Sequence, residues 1–118
     1  MTNYDRENIF AKIIRKEVSY DEIYSDFNNL AFEDISKQAP VHSLIIPKKE
    51  YANFSKFAEN ASDKELASFV RSIFNVARKK KILENGYRIV INCGKDGNQV
   101  VPHLHAHLLG GKPLGGIL

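Results

Sequence analysis

A single cysteine, Cys93, leaves no partner for an intramolecular disulfide. The apolar runs are only a few residues long, too short for a membrane-spanning helix. The start of the chain, Met1-Thr2-Asn3-Tyr4-Asp5-Arg6-Glu7-Asn8, is polar and acid-bearing, and it lacks the apolar core of a signal peptide. These absences predict a cytoplasmic protein in a reducing compartment, with no membrane partner. Proline and glycine are too sparse for a disordered chain, at four and seven residues. No internal repeat or low-complexity segment is visible. A net charge of +3 is small, and its main concentration is Arg78-Lys79-Lys80-Lys81. No aromatics are interleaved with these lysines, so they read as a solvated helix end complementing the C-terminal dipole, and no nucleic-acid partner is predicted. What remains is an ordinary globular composition, 43% hydrophobic and 26% charged, over 118 residues. That length predicts one domain, 1–118, able to bury its own core.

Along the chain, Ile9, Phe10, Ile13 and Ile14 recur at helical spacing, with Asp5 or Asn3 as candidate cap and an end near Val18-Ser19. Residues 20–25 and 30–34 read as strands joined by an Asp/Asn turn, hence a hairpin. A third strand covers 42–47 and ends at Pro47. A short helix is placed around 53–57. Ser62 with Glu65 three residues later has the capping-box form. Behind it Leu66, Phe69, Val70, Ile73, Phe74 and Ala77 follow the amphipathic pattern, predicting a helix over 63–83 stopped by Asn85-Gly86. Residues 87–92 form a fourth strand, and Gly94-Lys95-Asp96-Gly97-Asn98 a turn. The expected fold is therefore α+β: a five-stranded antiparallel sheet, drawn as a meander, with one long and one shorter helix.

Three of the four histidines then follow in strict alternation: His103-Leu104-His105-Ala106-His107-Leu108. In a strand this pattern sets three imidazoles on one face and Leu104, Ala106 and Leu108 on the other. Three explanations compete. Half-buried structural histidines would each need a hydrogen-bond partner. A metal site is hampered by reach, because positions i and i+4 of a strand stand about 13 Å apart at the roughly 3.3 Å rise per residue. Nucleophilic catalysis on phosphorus suits a neutral imidazole, which attacks without prior deprotonation and needs a fixed tautomer, a proton for the leaving group and donors around the phosphate.

At these residues the sequence resembles the histidine triad (HIT) superfamily, whose signature, three histidines separated by apolar residues and followed by two more, is matched from His103 to Leu109. Ile9-Phe10-Ala11-Lys12-Ile13-Ile14, Ala31-Phe32-Glu33-Asp34-Ile35, Gln38-Ala39-Pro40-Val41-His42, Ile45-Ile46-Pro47 and Gly110-Gly111 are similar to its nucleotide-binding (Hint) branch. The resemblance covers nearly the whole chain. It implies hydrolysis of purine nucleoside 5′-phosphoramidates, of the adenosine monophosphate–amine type, with no cofactor and no metal. It implies His105 as the nucleophile, His107 at the phosphate and leaving group, and His103 shaping the site, its carbonyl setting the tautomer of His105. His42 matches a fourth histidine of the cluster. Phe10, Ile13, Phe32 and Ile35 match positions lining the base, Asp34 the acid on the ribose hydroxyls, and Asn92, Asn98, Gln99 and Val100 the surroundings of the phosphate. The family pattern also implies a homodimer pairing 63–83 and 87–92 across a two-fold into a ten-stranded sheet.

The chain departs from that pattern at three places. Asn98 replaces a second glycine after Gly97. Val100 replaces a Ser or Thr whose hydroxyl would reach the phosphate. The tail Gly115-Gly116-Ile117-Leu118 is short and lacks the tryptophan of some relatives. Dinucleoside polyphosphate hydrolysis, or nucleotide-dependent regulation with little catalysis, are the alternatives. A transferase is disfavoured because His107 stands where that branch carries glutamine.

Overall fold

The computed structural model describes residues 4–117, so the suggested cap Asn3 and the terminal Leu118 lie outside the described residues. Five strands, β1 (Glu22–Ser25), β2 (Asn29–Glu33), β3 (Val41–Pro47), β4 (Tyr87–Val90) and β5 (Ala106–Gly110), make one sheet. Three helices accompany it, α1 (Ile9–Ile14), α2 (Phe54–Asn60) and α3 (Asp63–Lys79): the two main helices expected and the short one placed around 53–57. Every strand pair is antiparallel, as predicted.

The order is β1-β2-β3-β5-β4, which corrects the meander. The helices between β3 and β4 carry the chain back across the sheet, so those two strands point the same way. A slot is left between them, and β5 fills it antiparallel to both. Burial agrees with the placement. β5 alternates between buried and half-buried, whereas β4 alternates between exposed and half-buried, as an edge strand does.

Two apolar clusters cover the two faces. On one, Ala31, Ile45, Ala106 and Leu108 pack with Phe69, Ile73, Val76 and Ala77 of α3. On the other, Leu30, Phe32, Leu44 and Ile46 pack with Phe10 and Ile13 of α1. β3 is buried along nearly its whole length because both of its faces are covered.

The helix termini show how local chemistry sets the boundaries. Ser62 and Glu65 close a reciprocal capping box on α3, as expected. On α1 the cap is Asn8, whose side-chain oxygen accepts from Ala11 N–H at 2.9 Å. Asp5 instead accepts from Glu7 N–H, one turn earlier. Both helices end sooner than predicted. After α1, Lys16 takes φ 62°, with Lys16 N–H on Ile13 O and Glu17 N–H on Lys12 O. After α3, Lys81 takes φ 62°, with Lys81 N–H on Arg78 O and Ile82 N–H on Ala77 O. These are paired Schellman bonds with lysine at the left-handed position where glycine is usual, so no glycine marked either end. Gly86, φ 96°, turns the chain into β4 instead. The basic run is partly engaged in the fold: Lys79 Nζ donates to Ile23 O, and Lys80 pairs with Glu33. Among the described residues no helix is long and apolar enough to cross a membrane.

Candidate active site

The alternation of the histidines survives, but not as one strand. β5 begins at Ala106, so only His107 of the three lies in it. The chain ahead is held by other groups. Leu104 N–H donates to Tyr51 O at 2.8 Å, and His103 N–H to Val101 O at 2.8 Å. Leu104, Ala106 and Leu108 enter the α3-side core. The imidazoles meet the other side, with the His105 ring 4.9 Å from Phe10 and 5.1 Å from His107 between centroids.

Hydrogen bonds assign a proton to each ring. A carbonyl can only accept, and a backbone N–H can only donate. His103, fully buried, points Nε2 at Pro47 O at 2.8 Å, so its proton is on Nε2 and Nδ1 accepts from the Tyr4 hydroxyl. His105 points Nδ1 at the His103 carbonyl at 2.7 Å, so its proton is on Nδ1 and the Nε2 lone pair is left for chemistry. His42 accepts Gln38 N–H on Nδ1 at 3.0 Å, which puts its proton on Nε2. That Nε2–H donates to His107 Nδ1 at 2.9 Å, with Asp34 Oδ2 beside it at 3.3 Å. The proton of His107 is thereby on its own Nε2. The cluster thus carries one imidazole with an open lone pair next to one with an outward N–H.

Burial lowers all four basicities. It is the leading cause at His103 and His107, both pushed to about 4, with the nearby rings of His105 and His42 adding to it at His107. At His105 burial outweighs the support of the His103 carbonyl and Asp34, and at His42 it outweighs Asp34. All four rings are therefore neutral at pH 7. This couples the site to stability. An unfolded histidine binds its proton near pH 6.5, and folded His103 only near 4, so the unfolded state gains protons first as the pH falls. His103 alone is expected to cost about 2 kcal/mol of stability between pH 7 and pH 5. Urea unfolding at the two pH values measures it. A flat profile across that window, which lies above the carboxylate range, would contradict the neutral ladder.

Asp34, His42 and His107 bring their possible ligand atoms within 4.8 Å of one another. The arrangement does not suit a metal. His42 would have to offer Nε2, the atom that the Gln38 bond keeps protonated, and lose that proton or that bond.

The residues ahead of the triad build a hydrogen-bonded turn, with Asn98 N–H on Lys95 O and Gln99 N–H on Gly94 O. Asn92 Nδ2 donates to Gly97 O at 2.8 Å. Gln99 accepts Gly94 N–H on Oε1, and its amide nitrogen reaches Ala52 O and Val101 O. Of the four residues expected around the phosphate, Asn92 and Gln99 thus engage backbone with their side chains and shape the turn. Gly97 has no room for a side chain, since a Cβ there would stand 2.5 Å from Cys93 O. Asn98 occupies the left-handed region at φ 60°. Val100 is 82% exposed. Among the described residues the N–H groups of Val100 and Val101 find no acceptor.

Of the base-lining candidates, Phe10, Ile13 and Phe32 are buried together, with Phe10 edge-on to Phe32 at 5.6 Å. Ile35 is 98% exposed and apart from them. Asp34 accepts Ser36 N–H on one oxygen and leaves the other near His42. A cavity of about 870 Å³ opens among Tyr51, Asn53, Lys56, Lys95, Asn98 and Gln99, with none of the four histidines in its lining.

A family model for the HIT domain matches residues 15–114. The chain belongs to the HIT family. An uncharacterised HIT-like protein of Azospirillum brasilense is 45% identical, over 95% of this chain and 92% of that one. The purine nucleoside phosphoramidase of Escherichia coli is 41% identical, over 95% and 93%. Among solved structures, a HIT family hydrolase of Legionella pneumophila superposes with a TM-score of 0.86 at 38% identity, over 92% of this chain and 96% of that one. This HIT-family hydrolase holds groups that the motif alone does not reveal. Tyr4, Gln38 and Pro47 hold the rings in these tautomers, the last two through backbone atoms, a role that no local sequence pattern marks.

Proposed function

We propose that this hydrolase cleaves the P–N bond of purine nucleoside 5′-phosphoramidates through a covalent nucleotidyl–His105 intermediate. The observation that carries the proposal is the bond from His105 Nδ1–H to the His103 carbonyl, which leaves Nε2 deprotonated and aimed away from its anchor. The phosphoramidase activity named for the Escherichia coli relative supports the P–N bond as target. Nε2 attacks phosphorus as the P–N bond breaks, and the amine leaves with the Nε2 proton of His107, a ring that takes up a solvent proton when the anionic substrate binds beside it and returns to neutral in this step. The imidazolium so formed keeps its Nδ1–H on the His103 carbonyl. Water then attacks phosphorus and gives its proton to His107, the P–His105 bond breaks, and the nucleotide is released. The N–H groups of Val100 and Val101 receive the phosphate oxygens. Phe10, Ile13 and Phe32 face the purine with Ile35 at the rim, and Asp34 takes the ribose hydroxyls.

Release of adenylate and amine from an adenosine phosphoramidate tests this, with His105→Asn as the control. No excess of the wild type over the variant would favour a binding protein. Val100 supplies no hydroxyl to the phosphate. Val100→Ser is therefore expected to raise kcat about tenfold, within the 1–3 kcal/mol of a transition-state hydrogen bond. An unchanged rate would show that the backbone donors suffice.

The reading extends to a homodimer. The edge strand β4 exposes Tyr87 and Ile89, and α3 exposes Val70 and Phe74, an apolar surface of the kind a second copy covers. Pairing of two β4 strands would give ten strands. Sedimentation equilibrium should return twice the chain mass, and Ile89→Lys should return it to one; a wild-type monomer would refute the pairing.

A further inference from the structure

We propose that Tyr4 is a positioning residue for the reaction, its hydroxyl holding the His103 unit whose carbonyl orients the nucleophile. The proposal rests on the reading of His105 as that nucleophile. Tyr4 lies 99 positions from His103 in the chain and ahead of α1, yet its O–H donates to His103 Nδ1. The direction of that bond is settled by the far side of the ring. His103 Nε2–H is committed to Pro47 O at 2.8 Å, so Nδ1 is a bare lone pair and Tyr4 must be the donor. Tyr4 suits the part, because burial raises its phenol above the ordinary range and keeps the proton on it. Its ring also packs edge-on to His103, at 5.6 Å and 74°.

Residue 103 needs such support. It lies in the bend before β5, outside the ladder that holds Ala106 to Gly110. Its own N–H closes a tight turn on Val101 O. The peptide that carries its carbonyl is held from one side by Leu104 N–H on Tyr51 O, and from the residue's own side by the ring, pinned at both nitrogens. That carbonyl is the acceptor that keeps the proton of His105 on Nδ1. Loss of the Tyr4 hydroxyl would leave a fully buried lone pair without its donor. The His103 ring would then turn or change tautomer, and the carbonyl would move with it. His105 would populate the other tautomer, with a proton on Nε2 and no lone pair for phosphorus. Tyr4 takes no part in bond making.

Tyr4→Phe removes the hydroxyl and keeps the ring. Two readouts test the proposal: steady-state kinetics on an adenosine phosphoramidate, and ring ¹⁵N NMR of the histidines in the ligand-free protein. The expected result is a fall in kcat of about tenfold, the size of one hydrogen bond, with KM within about twofold. With it, the ¹⁵N signals of His105 should move from a pure Nδ1–H form to a tautomer mixture. Unchanged His105 signals in Tyr4→Phe would overturn the proposal, and so would a rise in KM at constant kcat, which would mark a substrate contact. Should the variant not fold, the wild-type spectrum still decides: a protonated His103 Nδ1 refutes the donor role, and an unprotonated, hydrogen-bonded Nδ1 upholds it. The NMR result needs no substrate. A wild type inert toward the phosphoramidate, with the tautomer shift intact, would sink the enzymatic reading and leave the Tyr4 linkage standing.

Discussion

His105→Asn is expected to lower turnover of an adenosine phosphoramidate by about four orders of magnitude, or about 5.5 kcal/mol in the barrier. The size follows from what the ring does. Without Nε2 there is no covalent intermediate, and water must displace the amine directly. Asparagine keeps a polar group of similar reach beneath Phe10, so binding of nucleotide should persist while chemistry stops. The measurement is single-turnover release of amine, together with mass spectrometry of the quenched protein. Wild type should show a nucleotidyl adduct that maps to His105, and the variant none. An adduct on His107 instead would exchange the two roles.

His107→Ala should separate leaving groups. The Nε2–H of His107 exists because His42 occupies its Nδ1, and its purpose in the proposed cycle is to protonate the departing amine. A proton delivered in place commonly contributes 10²- to 10⁴-fold, so the variant should lose about a thousandfold on an alkylamine phosphoramidate. A phenolate leaving group of low basicity needs no such proton, and on that substrate the loss should be about tenfold or less. Equal losses on both would mean that His107 serves the phosphate alone. His42→Ala should follow the same split more weakly, because it unsettles the His107 tautomer without removing the ring.

Much of the fold is legible in the sequence where the signals are local. The Ser62–Glu65 capping box, the Asp/Asn turn joining β1 and β2, and the apolar stripe of α3 are each encoded within a few residues, and each is present in the structure. The alternation around His103 to Leu108 likewise predicts which side chains share a side, even though the ladder begins only at Ala106. Three things are not encoded locally. The strand order depends on the direction in which the helical crossover returns the chain, and β4 by itself reads as apolar as an interior strand. The helix ends rest on lysines in left-handed geometry, where composition points to Asn85-Gly86 for α3. The proton positions depend on Gln38 N–H and Pro47 O, main-chain groups that carry no residue-specific signal and gain meaning only from their placement. Tyr4 belongs to the same class, a residue of no motif brought to the site by the path of the N-terminal segment.

The interior position of β5 bears on the order of assembly. The strand carrying His107 is the last of the five in the chain, yet it separates β3 from β4. During synthesis the earlier four strands emerge with two unsatisfied edges facing an empty slot, and no local hairpin can fill it. The sheet closes only when β5 has emerged to fill the slot, so closure of the sheet and completion of the histidine cluster are the same event. A nascent chain stalled before Ala106 would expose pairing edges and have no active site, which links the quality of the fold directly to the appearance of catalysis.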